Sequence, residues 1–68
     1  MHRQSKLMQI ENKRMLDARE GAEYCSMGLH SFRQWAETIG AVRRFGRLVR
    51  FDRRVIDNAL DEMGAATE

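Results

Sequence analysis

A disulfide framework is excluded from the outset, because the chain carries a single cysteine, Cys25. One cysteine and two histidines far apart in sequence also fail the ligand spacing of a zinc site. There is no proline, and no apolar run approaches the roughly 18 residues of a membrane-spanning helix. The basic start lacks the apolar stretch of a secretory signal, so a reduced, cytoplasmic setting is expected. Catalytic groupings are missing as well. No paired-carboxylate cleft, nucleophile with a neighbouring base, or Gly-rich phosphate loop stands out, so neither an enzyme nor a cofactor is expected. Charge of one sign is scarce too, with a net charge of only +2 over 68 residues. A chain of this length makes one domain, which buries only about 60% of its unfolded surface. Its core must be compact and apolar.

What is present is a polarised distribution of charge. Half of the twelve Lys and Arg residues fall between Arg43 and Arg54, and no acid lies between Gly40 and Phe51. The acids gather elsewhere, at Glu20 and Glu23 and again at Asp57, Asp61 and Glu62. A concentrated basic strip on a nearly neutral chain attracts a polyanion. The plainer alternative is a set of arginines that merely solubilise a surface hairpin.

Residues 1–14 are polar and basic, with a thin apolar face at Leu7 and Ile10, and read as a flexible arm or a short helix. Met15 and Leu16 form an extended segment too short for a full strand. Asp17 followed three residues later by Glu20 is a helix-start signal, and the first helix is expected over 18–25. Leu16, Ala22 and Cys25 can face the core, and the small pair Gly21 and Ala22 lets another helix approach. Cys25 is read as a core residue. Ser26, Met27 and Gly28 break the pattern, with Ser26 able to cap the next helix and Met27 plugging the turn. That second helix is expected from 28 or 29 to 38, with Phe32, Trp35, Ala36 and Ile39 as its buried stripe. His30, Ser31, Arg33, Gln34 and Glu37 then lie off the stripe, and Gly40 ends the helix. Residues 41–51 read as a hairpin with glycine at its tip, whose register the sequence leaves open. Asp52 caps a last helix over 53–63, with Val55, Ile56, Ala59, Leu60 and Met63 as its stripe, and Gly64 stops it ahead of a loose tail, 64–68.

Two helices joined by a short Gly-containing turn make a helix-turn-helix, whose second helix suits the major groove of DNA. A basic hairpin immediately after it is a wing. The fold class expected is mainly α with a small β-hairpin (α+β), a winged helix-turn-helix in the order helix-helix-hairpin-helix over residues 15–63. Reading side chains must come from the outward face of the second helix: His30, Ser31, Arg33 and Gln34. Arg44, Arg47 and Arg50 on the wing suit phosphate or the minor groove. Leu29, Arg43 and Arg53 are secondary candidates.

At these residues the chain resembles a known family. Asp17-Ala18-Arg19-Glu20-Gly21-Ala22-Glu23-Tyr24 resembles the T-x-x-E-A-A-x-Y opening of excisionase-type, MerR-like winged-helix domains. Ser26-Met27-Gly28 is similar to the turn of excisionases from conjugative transposons. Gly40-Ala41-Val42-Arg43-Arg44-Phe45-Gly46-Arg47 and Val49-Arg50-Phe51-Asp52 resemble the wing and the entry to the last helix. Asp17 for Thr and Gly21 for Ala look like physically equivalent exchanges, whereas Cys25 stands where Leu is common. The resemblance implies a small accessory factor that binds and bends double-stranded DNA beside a recombination site. It implies as partners a tyrosine recombinase (an integrase) and further copies of itself, in a cytoplasmic, nucleoid-associated setting with no membrane. A transcriptional regulator on the same fold, and a protein-interaction module without DNA binding, are the alternatives.

Overall fold

The computed structural model describes residues 12–66. Six elements succeed one another along the chain: β1 (Met15–Leu16), α1 (Ala18–Cys25), α2 (Leu29–Ile39), β2 (Val42–Phe45), β3 (Leu48–Asp52) and α3 (Arg53–Ala66). The expected α+β class and the helix-helix-hairpin-helix order are both found. The flexible arm or short helix expected from the sequence falls mostly on residues 1–11, outside the described residues.

Local chemistry starts and stops the helices. The Asp17 carboxylate accepts from the Glu20 N–H at 2.8 Å, and the Glu20 carboxylate accepts from the Asp17 N–H at 2.9 Å. This reciprocal pair satisfies donors that the first turn would otherwise leave free. At its far end α1 closes through Ser26, which adopts the left-handed conformation at φ 56°. Met27 N–H donates to the Ala22 carbonyl and Ser26 N–H to that of Glu23. Ser26 therefore ends α1 rather than capping α2, whose start at Gly28 has no side-chain cap. The same closure recurs at the end of α2, where Gly40 takes φ 75° and Ala41 N–H donates to the Ala36 carbonyl. Glycine adopts that backbone freely, whereas serine does so at a cost.

The hairpin register pairs Val42 with Phe51, Arg43 with Arg50, Arg44 with Val49, and Phe45 with Leu48. Gly46 and Arg47 form a two-residue turn, with Gly46 at φ 63° in the position where a tight hairpin needs glycine. Met15 and Leu16 pair antiparallel with Asp52 and Phe51, so β3 is the centre of a three-stranded sheet ordered β1-β3-β2. A two-residue strand is too short to show a period-2 pattern, which is why the sequence read only as an extended segment there.

One sheet face and three helices enclose the core of Leu16, Ala22, Phe32, Ala36, Ala41, Phe51 and Ile56. Phe32 is fully buried and meets Phe51 edge to face at 4.9 Å between centroids. α1 comes close enough that a Cβ on Gly21 would collide with the Phe32 ring. Gly21 and Ala are thus not equivalent here, because the ring occupies the volume a methyl group would need. α3 also differs from expectation. It runs through Gly64 to Ala66, and Met63 is half exposed beyond the reach of the core. One glycine costs a helix only about 1 kcal/mol relative to alanine and does not oblige it to stop.

Candidate nucleic-acid interface

α2 separates its faces cleanly. Phe32 and Ala36 are buried, and Trp35 and Ile39 pack half-buried against the core. His30, Ser31, Arg33, Gln34 and Glu37 are all exposed, and Leu29 lies at the margin. The four proposed reading residues therefore share an uncovered surface on the first two turns of the helix. That surface is held rigidly by Phe32 behind it and by the Gly21 contact beneath it.

The hairpin follows α2 after one further residue beyond Gly40, Ala41, which is buried and bonded to the Ala36 carbonyl. This fixes the ribbon against the helix. Arg33 and Glu37 of α2, Val42 of β2, Val49, Arg50 and Phe51 of β3, and Asp17, Ala18 and Arg19 at the start of α1 line one open hollow of about 610 Å³. β1 ends at Leu16, opposite Phe51, so the edge of β3 beyond that point is unpaired by β1. Arg50 lies there and donates to the Val49 carbonyl at 2.9 Å.

The cations divide into two sets. In the first, acids within the fold hold them. Arg14 reaches Asp52 through two hydrogen bonds of 3.2 and 3.0 Å, and Arg43 reaches the same carboxylate at 3.4 Å. Arg43 also donates to the carbonyls of Gly40 and Val42, so it braces the base of the ribbon. Arg53 approaches Asp57 at 3.6 Å, and Asp57 in turn accepts from the Tyr24 hydroxyl at 2.7 Å. Arg44 meets Glu37 at 3.7 Å, but both side chains are more than 60% exposed, and such a pair is worth little in water. In the second set, Arg19, Arg33, Arg47, Arg50 and Arg54 form no ion pair among the described residues. Three of these, Arg19, Arg33 and Arg50, come from different elements and border the one hollow. Arg47 stands at the turn of the ribbon.

Asp52 is the electrostatic pivot behind this surface. It is 1% exposed, and the Arg14 hydrogen bonds hold its carboxyl below the usual carboxylate range, against the opposing effect of burial. The Arg54 N–H, donated at 3.0 Å, and the charges of Arg14 and Arg43 act in the same direction. Asp52 thus caps α3 as the sequence suggested, and also ties down residues 38 and 9 positions earlier in the chain. Sequence reasoning missed Arg14, which it assigned to the flexible arm, and Arg19, which it left without a role. The Cys25 thiol is pushed up by burial and by the nearby Asp57 charge, which makes it a poorer nucleophile.

Helix, tight turn, helix and a ribbon that supplies two of the three strands of a sheet make this an α+β domain compatible with the winged helix-turn-helix arrangement. Residues 13–63 match a family described as a family of unknown function, DUF6462, and the chain belongs to it. No curated protein and no solved structure matches the chain.

Proposed function

We propose that the chain binds double-stranded DNA, with the exposed face of α2 in the major groove and the hairpin on the flanking backbone. The observation that carries this reading is that Arg19 and Arg33 border one hollow with Arg50 at its β3 edge, and that none of the three forms an ion pair among the described residues although Asp17 and Glu37 border the same hollow. Guanidinium groups that form no ion pair within the fold are available to phosphates. His30, Ser31, Arg33 and Gln34 are the base-reading candidates, since Arg forks to guanine and Gln to adenine. Arg44, Arg47 and Arg50 take phosphates or the minor groove. Leu29 is placed to meet a thymine methyl. Arg43 and Arg53, engaged with Asp52 and Asp57, serve mainly to hold the surface.

The biological role that we attach to this contact is that of an accessory factor for excisive recombination, assisting a tyrosine recombinase. It is supported by the excisionase-like pattern of residues 17–24 and of the wing. One copy presents a small reading surface, so we expect several copies, or the recombinase, to bind cooperatively.

Fluorescence anisotropy with a random-sequence duplex across a salt series tests the DNA contact. With four to six phosphates neutralised, log K falls against log salt with a slope of about −4 to −5. A flat response removes the phosphate assignment. An in vitro excision assay with the recombinase encoded nearest the gene separates the accessory role from plain transcriptional control.

A further inference from the structure

The ribbon ends in an apolar tip that the fold does not use. Phe45 and Leu48 face each other as the last pair of β2 and β3, and they are 54% and 52% exposed. Neither belongs to the core or packs against it. The register explains why. Leu16, Val42, Val49 and Phe51 occupy the face turned to the helices, so Phe45 and Leu48 share the opposite face with Arg43 and Arg50. Isolated exposed apolar residues are ordinary, but an adjoining aromatic and leucine at the end of a protruding ribbon form one continuous patch.

The surroundings of that patch narrow the partners it fits. Arg47 lies in the turn beside it and Arg44 next to it in sequence. The Arg43–Arg50 cross-strand pair stands on the same face, about 7 Å back along the ribbon. Like charges placed directly opposite each other destabilise a hairpin. Asp52 compensates Arg43, whereas Arg50 has no acidic partner among the described residues. No acid lies anywhere from Gly40 to Phe51. An apolar pair with Arg47 beside it and Arg43 and Arg50 behind it complements a partner that is anionic outside and flat and apolar inside, which describes stacked bases behind phosphates. A second copy of this chain fits poorly, because it would bring these cations against their own copies.

We propose that Phe45 and Leu48 form a wedge that enters the minor groove of duplex DNA at a base step, unstacks it and kinks the helix, while Arg47 in the turn and Arg50 on the same face hold the adjoining phosphates. The inference rests on the DNA reading above and names the part of the ligand that the ribbon tip takes. Pyrimidine–purine steps, which unstack most easily, are the preferred points of entry.

The test uses the full chain and a duplex of about 20 base pairs whose TA steps carry the fluorescent base 2-aminopurine. Wild type raises the 2-aminopurine signal on binding, because the base leaves its stack. In the double variant Phe45→Ala/Leu48→Ala the rise falls below about a third of wild type. Its salt slope is unchanged and its Kd shifts by less than about tenfold. The single variant Phe45→Trp, which keeps an aromatic wedge, keeps the rise. Since both side chains are about half exposed and lie outside the core, far-UV circular dichroism of the variants matches wild type and the melting temperature shifts little. Binding without any rise in wild type, or an equal rise in the double variant, overturns the wedge and leaves DNA binding standing. A wild-type dimer in sedimentation that the double variant loses assigns the tip to self-association and also overturns it. Absence of wild-type binding to any duplex overturns the DNA reading itself.

Discussion

Gly21 carries more structural weight than a small residue in a helix usually does. Its missing side chain is the space that the Phe32 ring fills, and that ring meets Phe51 edge to face. Gly21→Ala therefore gains helix propensity but overpacks the core, and the second effect is larger. A loss of about 1–3 kcal/mol is expected, read as a lower melting temperature. Gly64→Ala provides the contrast, since a Cβ there meets nothing within 4 Å. That exchange stabilises by up to about 1 kcal/mol. Asp52 sets the second test at this scale. Its carboxyl is held below its unfolded value, so the stability it contributes is present above about pH 4 and fades as pH falls through the folded value. Asp52→Asn keeps a capping side chain but loses the charge that Arg14 and Arg43 share. Urea unfolding should find the variant about 1–2 kcal/mol weaker at pH 7, with the gap narrowing at about pH 3.

At the scale of elements, α2 and the ribbon have separable tasks. Arg33→Ala or Gln34→Ala removes a base-directed fork from the exposed face of α2. Each should cost about 1–3 kcal/mol on a preferred sequence and much less on random DNA. Arg47→Ala removes a charge at the turn. It should weaken binding to every duplex alike and reduce the salt slope by about 1. Competitive binding on selected and random duplexes distinguishes the two patterns, and equal losses from both sets would mean that α2 is not the reader. The elements were the most legible part of the sequence, because short-range chemistry decides them. Asp17 with Glu20, Gly40 after Ile39, and Gly46 in the turn each act within a few residues, and each is found in the expected place. Ser26 misled for the same reason. Serine usually starts a helix, and only the Schellman-type bonds at the end of α1 put it in the left-handed position. The hairpin register follows from the two-residue turn at Gly46 and Arg47, which the sequence alone does not separate from a longer tip, and β1 has too few residues to announce a third strand.

On the scale of the whole molecule, the sequence concealed contacts between distant positions. Nothing local marks Arg14 as the partner of Asp52, 38 residues away, or Tyr24 as the partner of Asp57. The hollow bordered by Arg19, Arg33 and Arg50 likewise exists only once three elements pack together. The basic strip was visible as composition, yet the structure divides its members. Arg43 and Arg53 face acids of the fold, while Arg47 and Arg50 do not.

The Arg14–Asp52 contact also decides where the folding unit begins. Arg14 holds the start of α3 twice, because its carbonyl accepts from the Arg53 N–H at 2.7 Å while its guanidinium holds the Asp52 carboxylate. Lys13, one residue earlier, reaches only the first turn of α1, through Glu20. Trypsin should therefore cut the native chain after Lys13 and spare the bond after Arg14, a difference that mass spectrometry of a brief digest reads directly. The seam between β1 and α3 is thus closed from Arg14 onward, and a version trimmed to Met15 would keep every residue of the core yet lose these bonds at its edge.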